Sequence, residues 1–208
     1  MQLKMEIKTM KKLLLTTAII LMTGTAAIAA PVVGEPAPVF TGTDTNGVEH
    51  TLTDFKGKTV VLEWTNHQCP YVLKHYESGN MQKLQSEAVA DGVVWLSVAS
   101  SAEGKQGNVT NEEANQIMSD VGSNATARIQ DGSGEIGAMY DAKTTPHMFV
   151  INPDGVLVYE GAIDSDPSFK PEGIATANNY VKNAWMAVAN GTEVEPTNTQ
   201  PYGCSVKY

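Results

Sequence analysis

The chain has 208 residues and a formal net charge of −9, with 14 Lys and Arg set against 23 Asp and Glu. An acidic surface repels phosphate backbones and anionic lipid, which argues against nucleic acid and anionic membranes as partners. The length suits one domain with a proper core, and two cysteines are an even number that fits one disulfide in an oxidising compartment.

The N-terminus reads as an export signal. Lys4, Lys8, Lys11 and Lys12 form a basic region, "LLLTTAIILM" (13–22) a short apolar one, and "AIA" (27–29) the small residues of a cleavage site. "MKKLLL" from Met10 would serve equally well as a start. The apolar run is shorter than the ~20 residues a spanning helix needs. Residues 1–29 are therefore expected to be a cleaved signal peptide, leaving the rest exported to a bacterial periplasm without a membrane anchor. Removing this basic leader makes the mature chain more acidic still.

Along the mature chain, "TGTDTNGVEHTLTDF" alternates around Asn46-Gly47 and predicts a β-hairpin. "TVVLEW" (59–64) is a continuous β-branched and aromatic run, the pattern of a buried central strand. From Pro70 the spacing of Val72, Leu73, Tyr76, Met81, Leu84 and Ala88 is helical, with a break expected at Ser78 to Asn80. "VVWLSVAS" is a second buried strand. A polar loop leads to a helix at 111–121, "ARIQD" to a short strand and "GEIGAMYD" to a short helix. "HMFVINPDGVLVYEG" predicts a closing hairpin, and residues 172–189 a last helix with Tyr180, Val181, Ala184, Trp185 and Val188 on one face. Strands alternating with helices before a closing hairpin indicate an α/β sandwich with a mixed sheet. "NGTEVEPTNTQPYGCSVKY" then forms a Pro- and Thr-rich arm, so the organisation expected is a domain over 30–190 and an arm over 191–208 carrying Cys204.

Cys69 falls between a buried strand and a helix opened by Pro70, a favoured first-turn proline. A thiolate there faces free backbone N–H groups and the positive end of the helix dipole, which lowers its pKa and makes it nucleophilic. The competing reading is an inert core cysteine.

The order of these elements, together with "GEPAPVF", "TLTDFKGKTVVLEW" and "QDGSGEIGAMYDAKTTPHMFVINPDG", resembles the thioredoxin superfamily, and more closely its redoxin branch of alkyl-hydroperoxide-reductase-like proteins and exported thioredoxins. The resemblance spans about residues 33–161. It implies a thioredoxin-like three-layer sandwich with a central mixed sheet and an N-terminal hairpin extension. It also implies a solvent-reachable Cys69 and a cis bond before Pro146. Thr145, Pro146, Trp64 and Pro70 become the substrate-binding surface. Glu63, six residues before Cys69, corresponds to a buried acid that relays protons in thioredoxins; a strand-end Glu in solvent is the equal alternative.

The family's second cysteine position holds Val72, so Cys69 has no local partner. It is left to form a mixed disulfide, to be oxidised to sulfenate, or to pair with Cys204, the other thiol of the chain. His67, two residues before Cys69, and His147, next to the cis-proline that the resemblance implies, are both expected near the sulfur. As imidazolium either would stabilise a thiolate, and with Cys69 they make a minor candidate soft-metal set of unfamiliar spacing; no metal or other cofactor is expected. His50 and His75 read as ordinary surface or helix-face residues. Peroxiredoxins carry a hydroxyl residue where Asn66 stands, a proline where Leu62 stands, and an arginine across the site, whereas Arg128 lies in another strand. Fast peroxide reduction is thus not expected, although slow reduction stays open. The function implied is a thiol–disulfide oxidoreductase or antioxidant acting on protein or small-molecule thiols and disulfides. The alternatives are a binding module stapled by Cys69–Cys204 and a copper-binding protein.

Overall fold

A computed structural model describes residues 30–208, and the leader expected at 1–29 lies outside the described residues. The hairpin forms from β1 (Thr41–Thr43) and β2 (Glu49–Thr51), followed by a 3-10 turn at Leu52–Phe55. A five-stranded sheet is built from β3 (Val60–Trp64), β4 (Val94–Ala99), β5 (Ala127–Gln130), β7 (His147–Ile151) and β8 (Leu157–Gly161). Its order is β5-β4-β3-β7-β8, parallel through β3, β4 and β5 and antiparallel from β3 to β7 to β8.

Every residue of β3, β4 and β7 is buried, because both faces of the sheet are covered. Val60, Leu62, Trp64, Leu96, Val98 and Phe149 point to one side, where they meet Phe40, Leu52 and the short helix α4 (Glu135–Met139). Val61, Trp95, Met148 and Val150 point to the other. There they pack on α1 (Pro70–Glu77), α2 (Asn80–Ala90) and α5 (Tyr180–Asn190). Helix α3 (Asn111–Asp120) opens with a full capping box on Thr110 and Glu113. The result is the three-layer sandwich with a mixed sheet. Among the described residues no helix is long and apolar enough to cross a membrane.

The break between α1 and α2 falls at Gly79, whose φ of 75° is open to glycine but costly for other residues. The last helix begins later than its apolar spacing suggests. Asn179 caps it by accepting the Lys182 N–H, and Pro171–Gly173 forms only a 3-10 turn. The loop that replaces its first turns lies over α1. There the ammonium of Lys74, fully buried, is held by the Asp166 and Ser168 carbonyls and the Asp166 carboxylate.

Candidate active site

Cys69 is the N-cap of α1, with Pro70 exposed at the first helical position. The Thr145–Pro146 bond is cis, and Pro146 is buried. Thr145 belongs to the two-residue strand β6 (Thr144–Thr145), whose partner is β9 (Cys204–Ser205) in the arm. Thr145 stands opposite Cys204 and Thr144 opposite Ser205. This pairing sets the Cys204 Sγ 2.7 Å from the Cys69 Sγ, while the Cys69 thiol lies 3.1 Å from the Thr145 carbonyl it donates to. Both cysteines are free thiols, placed within disulfide reach.

Cys69 is not the solvent-reachable sulfur expected of this junction. It is 0 % exposed, covered by the arm, and Cys204 is the more accessible of the two. Trp64 departs from its expected role too. It is 0 % exposed, and its indole N–H donates to Ser100, so it is a core residue out of reach of any substrate. On a strand covered on both faces, an aromatic side chain has no route to solvent.

The arm is held by contacts spread along its length. Thr199 bonds the Tyr159 hydroxyl and the Ala162 N–H, Val206 N–H donates to the Lys143 carbonyl, and Lys207 accepts from Ala102. Tyr202 donates to Asp164 and lies 3.3 Å from Nε2 of His75. Gly203 lets the backbone pass over Thr145: its φ is 134°, and a methyl group there would collide with the Thr145 carbonyl. His75 is therefore not a surface residue. It is 0 % exposed, bonded to Asn80 and Tyr202, and burial brings its pKa down to about 3. Lys74, His75, Asp164 and Tyr202 form the arm's anchor. The sequence signal for His75 was its place three residues after Val72, on the same helix face.

Glu63 takes the buried alternative. Its carboxylate accepts from Tyr76, Gln85, Trp95 and Ser97, and none of its hydrogen bonds goes to Cys69. Burial raises its pKa against the opposing pull of those four donors.

The two thiols are pushed apart. Burial raises the Cys69 pKa, but the Cys204 thiol, Thr145 and the Cys204 and Val72 N–H groups outweigh it, and the net direction is down. Cys204 goes up to about 11 through burial and its contact with Cys69. For the two histidines placed near the sulfur, His67 and His147, burial disfavours the positive charge. Burial and Lys143 bring His147 down to about 4, and burial and Arg128 lower His67. His147 packs on Phe149 with its Nδ1 facing the Lys143 N–H, whereas Nδ1 of His67 is unpartnered at a cavity edge. Among the described residues no group of three His, Cys, Asp or Glu side chains converges as a metal site, so His67, Cys69 and His147 are not assembled into one. Asn66, at the peroxiredoxin hydroxyl position, gives its amide N–H to the Gln106 carbonyl.

A family model described as Redoxin matches residues 32–178. The thiol-disulfide oxidoreductase ResA of Bacillus subtilis (strain 168) is 28% identical over 132 residues, which cover 60% of this chain and 64% of the relative. ResA of Geobacillus kaustophilus (strain HTA426) is 31% identical over 140 residues, covering 60% of this chain and 80% of the relative. The chain thus spans a little under two thirds of the Bacillus protein. A solved structure of a hypothetical protein from Sinorhizobium meliloti 1021 superposes with a TM-score of 0.75 at 22% identity, covering 86% of this chain and 96% of that one. That likeness is one of fold, which is thioredoxin-like.

Proposed function

The chain belongs to the redoxin family, and from that premise we propose that it is an exported thiol–disulfide oxidoreductase whose redox pair is Cys69 and Cys204. The observation that carries the reading is the 2.7 Å approach of the two sulfurs across the Pro146 loop. The likeness to two proteins named thiol-disulfide oxidoreductases supports it. An exported location suits a pair that cycles through a disulfide.

The asymmetry of the pair sets the order of steps. In the oxidised protein an incoming thiolate attacks Cys204, the accessible sulfur, and forms a mixed disulfide there. Cys69 leaves as thiolate, the lower-pKa and better leaving group. A second donor thiolate then attacks the donor sulfur of the mixed disulfide. The donor departs as its own disulfide, and Cys204 takes a proton. Run in reverse, the two electrons pass from the pair to a substrate disulfide. Glu63 is the buried acid assigned to proton exchange near the site, because its raised pKa brings it closer to working pH. Pro70, exposed at the helix start, and the Thr144–Thr145 edge are the substrate surface. In the closed state β9 occupies that edge, so an extended substrate pairs there in place of the arm.

A permanent staple is less well supported, since the arm is docked by backbone and side-chain hydrogen bonds that need no covalent link. Equilibration in glutathione buffers decides between them, with the bridge and the melting temperature followed together. The oxidoreductase reading expects a bridge potential above about −300 mV and a Cys204→Ser variant that keeps its fold. A lower potential, with a large loss of stability in that variant, would establish the staple.

A further inference from the structure

Along the solvent side of α1, the connection from β8 to α5 (residues 162–179) leaves a groove with a volume of about 280 Å³. Pro70, Leu73, Phe169 and Pro171 give it apolar walls, and Glu77 stands at its end on the last turn of α1. These walls can be reached from solvent. Pro70 and Pro171 are exposed, Leu73 is half-buried, and Phe169 is 56 % exposed. A fixed turn imposes the exposure of Phe169. The buried ammonium of Lys74 holds the Asp166 and Ser168 carbonyls, the Ser168 N–H donates to the Asp166 carboxylate, and the Lys170 N–H donates to the Ser168 hydroxyl. The Phe169 ring meets Tyr71 edge-on at 6.2 Å, and Tyr71 lies 6.0 Å from Tyr202 of the arm. The three rings form a row from the arm to the groove. An apolar ring held half in water gains nothing for the fold on its wet face, whereas contiguous apolar surface suits a partner's apolar group. The walls come from α1 and the 162–179 connection and not from the arm, so the groove is open while the arm is docked.

We propose that this groove seats one bulky apolar side chain of a polypeptide substrate, carried within about four residues of the cysteine that exchanges with the Cys69–Cys204 pair. This occupant presupposes the redox reading of the pair, and it makes an unfolded polypeptide, rather than a low-molecular-weight thiol, the substrate. The groove is continuous with the substrate surface through Pro70, which follows Cys69 and forms its first wall. It runs along the two turns of α1, about 11 Å, a distance that an extended chain covers in about four residues. Its accessible charge is Glu77, because Lys74 is buried and bonded to Asp166 and Ser168. On a chain of net charge −9 that carboxylate disfavours an acidic side chain in the groove. Phe169 is thus the specificity-determining residue, gripping the substrate beside the pair before the arm gives up its edge.

The test mixes bridged protein with an excess of single-cysteine peptides that carry Leu, Phe, Glu or Gly at each position up to four residues either side of the cysteine. Loss of the Cys69–Cys204 bridge is timed. Two peptide thiols give up two electrons and two protons to become a peptide disulfide, and the bridge takes them up as two thiols. At the best position Leu and Phe should exceed Glu and Gly about tenfold in rate constant, the size expected for a side chain moved partly from water onto an apolar wall. Phe169→Ala should bring that ratio close to one, and Phe169→Leu should keep it. Equal rates across the whole set, or a ratio that Phe169→Ala leaves unchanged, would overturn the groove while leaving the redox pair standing. A bridge that neither the peptides nor glutathione can open would overturn the redox reading instead. The groove is then decided by the same peptides with serine for cysteine, in a nitrogen-15 spectrum. The Leu form should shift the Leu73 and Phe169 amide signals to saturation and the Gly form should not; no difference between them overturns the groove as well.

Discussion

Tyr202→Phe removes one oxygen from the arm and should unseal Cys69. That hydroxyl donates to Asp164 and faces Nε2 of His75, which are 2 % and 0 % exposed. Deleting a donor to buried polar partners costs about 1–3 kcal/mol. Asp164 keeps only the Asp166 N–H on that oxygen, and His75 keeps only Asn80. Because the loss falls on the docked arm, the open population rises about 5- to 150-fold, at tenfold per 1.4 kcal/mol. Cys69 is 0 % exposed when the arm is closed. Where reclosing outpaces the chemistry, its alkylation rate tracks that population. The assay is iodoacetamide labelling in a Cys204→Ser background, which removes the competing thiol and the bridge, with Cys69 followed by peptide mass. Tyr208→Phe is the control: Tyr208 is 50 % exposed and its hydroxyl bonds only the Ala142 carbonyl, so its loss of about 0.5–1.5 kcal/mol gives about a twelvefold ceiling. Labelling of Tyr202→Phe at the parent rate would refute the sealing argument. So would a parent that already labels as fast as the unfolded chain.

Cys204 should be slow to alkylate in the reduced native protein despite its exposure. A pKa of about 11 against an ordinary 9.0 leaves about a hundredfold less thiolate near pH 8, and Cys69→Ala should speed the reaction by removing one cause of the rise. Glu63 has a folded pKa above its unfolded value of 4.5, so the stability it confers is complete below that value and falls as pH rises through the folded pKa. Denaturant melts at a series of pH values should therefore show wild type losing ground to Glu63→Gln above pH 4.5; a difference independent of pH would contradict this. Gly203→Ala places a methyl group against the Thr145 carbonyl, so β9 should lift from β6. The fraction of Cys69–Cys204 bridge in a fixed glutathione buffer should then drop at least tenfold while circular dichroism stays native.

Most of the architecture was legible because it rests on local patterns. "TVVLEW" and "VVWLSVAS" are apolar on both faces, and a strand with no polar face belongs in the middle of a sheet covered on both sides. The break at Ser78 to Asn80 follows from a glycine that only a left-handed turn explains, and Pro70 marks the helix start that puts Cys69 at its cap. Helix α5 starts later than its apolar spacing indicates, because that spacing extends upstream of Asn179, and a cap is a side-chain geometry that periodicity does not encode. Composition likewise hides which polar residues are buried. Lys74 looks like the wet side of a helix until a loop from residues 164–168 closes over it, and His75, although it shares the face of Val72, is sealed only by an arm tyrosine. The same is true of the sulfur pair. Cys69 and Cys204 are 135 residues apart, and their approach depends on a two-residue strand pairing, a glycine at 203 and a tyrosine anchor at Asp164. Each of these is a long-range contact of low local signal, so the chain alone specifies the two thiols, and only the folded arm decides which is sealed and which meets solvent.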